Sequence, residues 1–155
     1  MSTEFQFNSS IAIIGGGNIG MAIAEGLVQS GKYQASQIII TRHSADLPQD
    51  LHQNGFTFTS DNTFAVQNAR IVIVTVLPIL APGILGELKE HLSSNHIIIS
   101  CVTGFTIEQI ESAIGNQVSI IRAMPNTAIR IRESMTCLSG NEVARQIMSE
   151  VESLF

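Results

Sequence analysis

The sequence predicts an α/β protein of the Rossmann-like, doubly wound class, with a mostly parallel sheet and helices on both faces. Short apolar runs rich in β-branched residues, such as IAII and IVIV, alternate with segments whose apolar residues recur at helical spacing. A glycine-rich loop, GGGNIG, joins the first apolar run to the first helical segment. Alternating strands and helices form parallel sheets with right-handed crossovers. Because no linker or change of composition divides the chain, we expect one domain over residues 1–155.

The strands are predicted from apolar continuity, which is typical of strands buried on both faces of a sheet. They are expected at 11–15, 37–41, 55–59, 71–76, 96–100, 118–123 and 134–140. These segments are therefore expected to form the strands of the mostly parallel sheet.

The helices are predicted from apolar spacing and from residues that begin or end helices. They are expected at 18–30, 47–54, 61–68, 82–92, 107–114 and 142–155. Gly31 and Gly55 end two of them, Ser60 or Asp61 can cap the third, and Thr106 with Gln109 has the spacing of a capping box.

Composition excludes several classes of protein. Apolar residues make up 45% and charged residues 14% of the 155 residues, which is typical of a folded domain. A net charge of −5 argues against a nucleic-acid-binding protein. The amino-terminal MSTEFQFNSS lacks the features of a signal peptide, and the longest apolar stretch is too short and too rich in proline to span a membrane. We therefore expect a cytoplasmic protein without nucleic-acid or membrane partners.

The two cysteines, Cys101 and Cys137, show no metal-ligand spacing, and no metal site is expected. Two cysteines without a disulfide framework fit a reducing compartment. Each lies in or just after an apolar strand segment. We predict that both are small core residues.

The glycine loop reads G-x-G-x-x-G at Gly15, Gly17 and Gly20, after a strand and before a helix. In that context each glycine has a role in binding a dinucleotide. The first permits the tight turn, the second lets the backbone approach a pyrophosphate, and the third lets the helix pack on the strand. Free N–H groups at the start of the helix add a favourable dipole for phosphate. The loop therefore predicts a dinucleotide site.

The end of the second strand indicates which dinucleotide. A site for NAD usually has Asp or Glu about 20 residues after the glycines, but here the strand ends in TRHS and no acid occurs before Asp46. Arg42 instead offers a planar fork suited to a 2′-phosphate, and Ser44 offers a hydroxyl. We therefore predict NADP(H) as the cofactor.

A family resemblance becomes specific in two further segments. The segment IRAMPNTAIRIRESMT (121–136) resembles the R-x-M-P-N-T segment of pyrroline-5-carboxylate reductases, the enzymes that make proline. The segment IISCVTGFTIEQIE (98–111), the glycine loop and the TRHS turn resemble the same family in the same order. The resemblance implies reduction by NADPH of the C=N bond of 1-pyrroline-5-carboxylate, a small imine.

The resemblance also implies an arrangement of the cofactor pocket. It assigns the pyrophosphate to Gly15, Gly17, Asn18 and Ile19, and the 2′-phosphate to Arg42 and Ser44. It assigns the adenosine to Asn62. The nicotinamide would lie between Val76, Leu77 and Pro78 on one side and Asn126 and Thr127 at the opposite edge of the pocket. In the family, a C-terminal helical domain supplies the dimer contacts and the groups that bind the substrate. The resemblance implies that this chain is the first domain only, poorly active alone, and that the full-length protein forms a homodimer or larger oligomer. It assigns no catalytic residue to this chain.

The chain departs from the family pattern near the nicotinamide. The family commonly reads V-K-P where this chain has Val76-Leu77-Pro78, A-A-G where it has VTG (102–104), and M-P-N-T-P where Ala128 follows Thr127. Two alternatives to the reductase therefore stay open. One is an NADP-binding module that regulates without reducing anything, and the other is a different NADP-dependent reductase, such as a deazaflavin–NADP oxidoreductase.

Overall fold

The computed structural model describes residues 10–125 and 135–155. Its strands are β1 (Ile11–Ile14), β2 (Ile38–Thr41), β3 (Thr57–Thr59), β4 (Ile71–Val74), β5 (Ile97–Ser100), β6 (Ser119–Met124) and β7 (Cys137–Gly140). Its α-helices are α1 (Asn18–Gln29), α2 (Asn62–Gln67), α3 (Ala81–Leu88), α4 (Ile107–Ile114) and α5 (Met148–Glu152). Short 3₁₀ helices occupy Ala35–Gln37, Ser44–Asp46, Gln53–Gly55, Lys89–His91 and Val143–Ile147.

The described strands form a single sheet in the order β3-β2-β1-β4-β5-β6-β7. Strands β1 to β6 pair in parallel, and β7 pairs with β6 in the antiparallel direction. The order 3-2-1-4-5-6 is that of the doubly wound dinucleotide-binding fold. The predicted fold class is therefore confirmed.

Alternate residues of each strand are buried on opposite faces of the sheet, which gives two cores. Ile11 and Ile13 of β1 pack on the face covered by α1 and by the carboxyl-terminal segment. Ala12 and Ile14 pack on the face covered by α2, α3 and α4. Both faces are apolar because a parallel sheet is covered by helices on each side. Across the described ranges, no helix is long and apolar enough to cross a membrane.

Two predicted helix starts are confirmed by their hydrogen bonds. The Oδ1 atom of Asp61 accepts a 2.9 Å hydrogen bond from the backbone N–H of Phe64 at the start of α2. At the start of α4, the Thr106 hydroxyl accepts from the Gln109 N–H, while the Gln109 Oε1 atom accepts from the Thr106 N–H at 2.8 Å. This reciprocal pair satisfies two backbone donors that the helix itself leaves unpaired.

The helix predicted at 47–54 is wrong. Only Gln53–Gly55 forms a single 3₁₀ turn there, and Asn54 has a left-handed backbone (φ 57°). Leu47 is extended (φ −67°, ψ 138°) because it precedes Pro48, whose ring disfavours the helical region for the preceding residue. The helical spacing of apolar residues in 47–54 therefore does not produce a helix, because Pro48 keeps the residue before it extended.

The long helix predicted at 142–155 is broken into two short pieces. Residues Val143–Ile147 form a 3₁₀ helix, and α5 begins only at Met148 after Ile147 leaves the helical region (φ −111°, ψ 2°). In a 3₁₀ helix, residues three apart lie on one side. Ala144 and Ile147 are therefore both buried against the sheet.

The structure also corrects the prediction for one cysteine. Cys101 is half-buried and packs against the core, as expected for a small apolar residue. Cys137 is exposed, because it lies on β7 at the edge of the sheet. Strand β7 is held instead by Asn141, whose Oδ1 atom accepts hydrogen bonds from the backbone N–H groups of Ile120 and Ala144 and whose Nδ2 atom donates to the Val118 carbonyl oxygen.

Candidate nucleotide-binding site

The glycine loop lies where the strand order of the sheet reverses. After β1 the chain builds outward through β2 and β3, then crosses to the other side of β1 and continues with β4. The helices that follow β1 and β4 therefore leave the sheet in opposite directions and open a crevice at the carboxyl ends of these strands. In open α/β sheets, ligands bind in this crevice.

The three motif glycines differ in what surrounds them. Gly15 has φ +104°, and a Cβ atom there would lie 2.9 Å from the Cγ1 atom of Val76. Within the described part of the chain, Gly17 faces open space, because no atom beyond its own neighbours and the α1 backbone lies within 4 Å of where a Cβ would be. A Cβ at Gly20 would overlap the carbonyl oxygen of Gly15 and lie 2.9 Å from the Thr75 hydroxyl. The turn, the open approach and the close helix–strand packing are thus found at the predicted positions.

The first turn of α1 offers unpaired donors to a ligand. Its N-cap is Gly17, which provides no side-chain cap, and the first turn contains no acidic residue. Asn18 and Ile19 are exposed beside it. The first N–H groups of an α-helix have no partner within the helix, and the helix dipole favours an anion there. This end of α1 is suited to bind phosphate.

Two threonines fix the glycine loop to the neighbouring strands. The Gly15 N–H donates a 3.2 Å hydrogen bond to the Oγ1 atom of Thr41, the last residue of β2. The Thr75 hydroxyl, one residue after β4, donates to the carbonyl oxygens of Ile14 at 3.2 Å and of Gly15 at 2.6 Å. The Gly16 N–H also donates to the Thr41 carbonyl oxygen at 2.7 Å. The shape of the loop is therefore set by side chains on both of its neighbours.

Arg42 lies between the glycine loop and an aromatic ring. Its Cζ atom is 5.3 Å from the ring centroid of Phe58 on β3. A Cβ atom at Gly16 would lie 2.9 Å from both the Cγ and the Nε atoms of Arg42. The Arg42 N–H donates a 3.0 Å hydrogen bond to the Thr59 carbonyl oxygen. The guanidinium group is thus held at the carboxyl end of β2, next to the predicted phosphate site.

The remaining predicted residues lie along the same edge of the sheet at different distances from the loop. Val76 is half-buried against Gly15. Leu77 and Pro78 are exposed, and Leu77 leaves 67% of its surface accessible. Ser44 is exposed in the 3₁₀ turn after Arg42. Asn62 begins α2 beyond β3, outside the contacts that join the loop to Arg42.

Asn126 and Thr127 lie outside the described residues. They follow β6, whose last residue is Met124, and they are predicted to form the other edge of the pocket.

Cys101 follows β5 at the carboxyl edge of the sheet, and burial raises the pKa of its thiol to about 12. Within the described ranges, no group of three His, Cys, Asp or Glu side chains could hold a metal ion.

The structure adds four residues to the predicted set: Gly16, Thr41, Phe58 and Thr75. A polar residue at the end of an otherwise apolar strand run, as in IIIT and IVIVT, is a signal that could have indicated the two threonines. The run of three consecutive glycines, one more than the G-x-G spacing needs, could have indicated Gly16. Phe58 has no such signal, because only the pairing of β3 with β2 brings its ring beneath Arg42.

An open depression elsewhere on the chain lies at the opposite edge of the sheet. Ser10, Arg70 and His96 line it, and these residues immediately precede β1, β4 and β5. Ligands of doubly wound sheets bind at the carboxyl ends of the strands. The depression is therefore separate from the crevice that contains the glycine loop.

A glycine turn that leads into an uncapped helix, at the switch point of a doubly wound sheet, defines a nucleotide-binding domain of the Rossmann-like class. The chain belongs to the family described as NADP oxidoreductase coenzyme F420-dependent, whose model matches residues 10–104.

Curated relatives and solved structures agree with the resemblance stated from the sequence. Pyrroline-5-carboxylate reductase 2 of Dictyostelium discoideum is 44% identical over 143 residues, which cover 90% of this chain and 48% of that protein. A pyrroline-5-carboxylate reductase from Coxiella burnetii superposes with a TM-score of 0.86 at 33% identity, over 94% of this chain and 55% of that one. The resemblance to this enzyme family is confirmed, and the chain spans about half the length of the curated relatives it matches.

A more distant structure shares the fold. Plasmodium falciparum pyrroline carboxylate reductase, solved with NADP bound, superposes with a TM-score of 0.83 at 22% identity. The superposition covers 96% of this chain and 54% of the Plasmodium chain. At that identity the likeness speaks for the fold alone.

Proposed function

We propose that this chain is the NADP-binding domain of an enzyme that reduces the C=N bond of 1-pyrroline-5-carboxylate to give L-proline. The observation that carries the proposal is Arg42, held against the glycine loop at the end of β2, where an acidic residue would select NAD. The relatives named pyrroline-5-carboxylate reductase support the reaction. The polar and glycine groups at the carboxyl edge of the sheet support the cofactor.

The groups present fit a 2′-phosphorylated dinucleotide. Gly17 leaves open space at the start of α1, so a pyrophosphate can approach the backbone. The exposed N–H groups of Asn18 and Ile19 then bind the pyrophosphate, and Arg42 with Ser44 binds the 2′-phosphate. Guided by the resemblance, we place the adenosine near Asn62, and the nicotinamide between Val76, Leu77 and Pro78 on one side and Asn126 and Thr127 on the other.

When bound, NADPH supplies the hydride, and the chain positions it. The glycine loop and Arg42 fix the two phosphate-bearing parts of the cofactor. The side chain of Val76 packs against Gly15, and by the resemblance it would border the nicotinamide side of the pocket. Orientation of this kind converts a bimolecular step into an effectively unimolecular one.

The other half of the reaction needs groups that bind the imine. We propose that these lie in the part of the related enzymes that this chain does not match, which in the full-length protein also forms a homodimer or larger oligomer. The chain alone then binds the cofactor and reduces the imine poorly. Two free cysteines fit a reducing compartment, so we propose a cytoplasmic location.

A second candidate function follows from the family description. That description names coenzyme F420, which is a deazaflavin, so hydride exchange between NADP and a deazaflavin is the alternative reaction. The pocket for the phosphates would be the same in both enzymes. The two reactions differ only in the hydride acceptor, and an assay with each acceptor separates them.

The decisive experiment is a titration of the chain with NADPH and with NADH, repeated on Arg42→Ala. We expect NADPH to bind about ten- to a hundredfold more tightly than NADH, since an arginine–phosphate hydrogen bond contributes about 1.5–3 kcal/mol. Arg42→Ala removes this preference and leaves NADH binding unchanged. Arg145→Ala, which removes an exposed arginine from a 3₁₀ helix, is the matched control and keeps the preference.

The full-length protein is then assayed for NADPH oxidation with 1-pyrroline-5-carboxylate and with a deazaflavin. Oxidation only with the imine supports the reductase, and oxidation only with the deazaflavin supports the alternative. Tight NADPH binding with neither acceptor reduced would replace both with a regulatory module. A chain that binds neither nucleotide would contradict the proposed cofactor site.

A further inference from the structure

We propose that Phe58 and Gly16 determine the preference for a 2′-phosphorylated nucleotide by holding the Arg42 guanidinium in one orientation. Phe58 is a positioning residue, because it acts through Arg42. The inference rests on the proposed function, since it concerns the same cofactor site. It makes a residue of the apolar core responsible for selectivity between two cofactors.

The Phe58 ring is a fixed platform. It is 96% buried, with only 4% of its surface exposed, and the ring of Phe56 packs against it edge to face, with centroids 6.5 Å apart and planes at 79°. The Phe58 N–H donates a 2.7 Å hydrogen bond to the Leu51 carbonyl oxygen. A guanidinium above such a ring is attracted by its quadrupole. The 5.3 Å distance from the Arg42 Cζ atom to the ring centroid lies within the range of this attraction.

Gly16 lies on the other side of the Arg42 side chain, so that Gly16 and the Phe58 ring form the two walls of a slot that holds it. A Cβ atom there would lie 2.9 Å from the Arg42 Cγ and Nε atoms and 2.6 Å from the Ile40 Cγ2 atom. These distances are shorter than real side chains tolerate, so any larger residue would displace the arginine side chain. The absence of a side chain at Gly16 is therefore needed for Arg42 to lie where it does.

The slot also selects which atoms of Arg42 a ligand can reach. The Nε atom is buried and has no hydrogen-bond partner within the described part of the chain. A ligand can then meet only the two terminal nitrogens of the guanidinium. Two parallel N–H donors match two phosphate oxygens. Holding this fork in place before binding reduces the ordering cost of the complex, and NADH, which has no 2′-phosphate, gains nothing from it.

The test compares Phe58→Leu with Phe56→Leu. Both phenylalanines are 4% exposed and belong to the same core, but Phe58 is the ring that the Arg42 guanidinium covers. Dissociation constants for NADPH and NADH are measured at one ionic strength, together with the urea midpoint of each variant. Phe58→Leu is expected to lower the preference for NADPH about three- to tenfold with NADH binding unchanged.

The control variants separate positioning from general damage. Phe56→Leu is expected to lower the urea midpoint as Phe58→Leu does, while losing less of the preference for NADPH, because the Phe58 ring that the Arg42 guanidinium covers is still present. Phe58→Tyr retains the ring and restores the preference. If Phe58→Leu does not fold, Phe58→Met removes the ring with an unbranched side chain that adapts to irregular core space and is measured in its place. Gly16→Ala, which closes the other side of the slot, is expected to reduce the preference as well.

Three outcomes would overturn the inference, and they are distinguishable. If Phe58→Leu keeps the full preference for NADPH while Arg42→Ala loses it, the positioning role is wrong and the proposed cofactor site stands. If the unmodified chain shows no preference for NADPH, both the proposed site and this inference fail. A parallel loss of NADPH and NADH affinity in Phe58→Leu would also overturn it, because a positioning role affects only the phosphorylated nucleotide.

Discussion

The hydroxyl of Thr75, one residue after β4, donates a 2.6 Å hydrogen bond to the carbonyl oxygen of Gly15, one residue after β1. The N–H of the same glycine donates to the Oγ1 atom of Thr41 at the end of β2. Both polar backbone groups of Gly15 are thus bound by side chains from the strands on either side. The conformation of the turn, with φ +104° at Gly15, is therefore supported by the two strands that flank β1.

We predict that Thr75→Val destabilises the chain by about 1–2 kcal/mol, because the carbonyl oxygen of Gly15 loses its donor while the shape of the side chain is kept. Thr75→Ser keeps the hydroxyl and is the matched control. Urea unfolding of both variants measures the effect. Equal stability of the valine and serine variants would show that the hydrogen bond does not hold the turn.

Substitution at two of the motif glycines should separate binding from folding. Gly17→Ala is expected to change the free energy of unfolding by less than about 1 kcal/mol, since its Cβ would face open space, yet to weaken NADPH binding. Gly20→Ala is expected to cost about 1–3 kcal/mol, because its Cβ would overlap the Gly15 carbonyl oxygen. Calorimetry and nucleotide titration are run on both variants. The prediction fails if Gly17→Ala unfolds more easily than Gly20→Ala.

The carboxyl of Glu108, in the first turn of α4, should have a lowered pKa. The backbone N–H of Glu108 and the hydroxyl of Thr106 hold the pKa of the Glu108 carboxyl below its ordinary value of 4.5. A lowered pKa means that the stabilisation by Glu108 is present above pH 4.5 and is lost as the pH falls through the lowered value.

Thr106→Ala is therefore expected to raise the pKa of Glu108 toward 4.5 and to cost about 1 kcal/mol through the lost helix cap. Carbon-detected NMR titration of the glutamates reports the pKa directly. Thr103→Ala, which removes an exposed hydroxyl just before this helix, should leave the pKa of Glu108 as it is. A Glu108 pKa that is the same with and without the Thr106 hydroxyl would refute the assignment.

The two cysteines should react very differently with iodoacetamide. Burial raises the pKa of the Cys101 thiol to about 12, so almost no thiolate is present at mildly alkaline pH. Cys137 is exposed on the edge strand. We expect alkylation of Cys137 in the folded chain and of Cys101 only after unfolding in urea, as read by peptide mass spectrometry. Comparable rates at both cysteines in the folded chain would contradict the burial of Cys101.

The sequence pattern predicted the fold wherever a strand is buried on both faces, because such strands read as continuous apolar runs. It failed at 47–54, where apolar spacing resembled a helix but Pro48 forces Leu47 to stay extended. It also failed at 142–155, where burial of Ala144 and Ile147 on one side favours a 3₁₀ turn before α5. Local propensity cannot show which of two helix types the sheet will select.

The candidate site was predictable where a residue acts through its own backbone or charge. Gly15, Gly17, Gly20 and Arg42 follow from motif spacing and from the chemistry of a phosphate. The residues that hold them do not, because Phe58 and Thr75 reach the loop only after the pairing of strands far apart in sequence. Supporting residues of this kind become visible once the register of the sheet is known.

The central position of β1 has a consequence for synthesis of the chain. Among the described strands, β1 is synthesised first, but the carbonyl oxygen of Ile14 accepts a hydrogen bond from Thr75, which is synthesised 61 residues later. On the ribosome, β2 can cover one edge of the nascent IAII segment, while the other edge stays open until β4 has been translated. An unpaired apolar strand edge can pair with other chains. We therefore expect the nascent chain to depend most on chaperones during this interval, when they would prevent aggregation through β1.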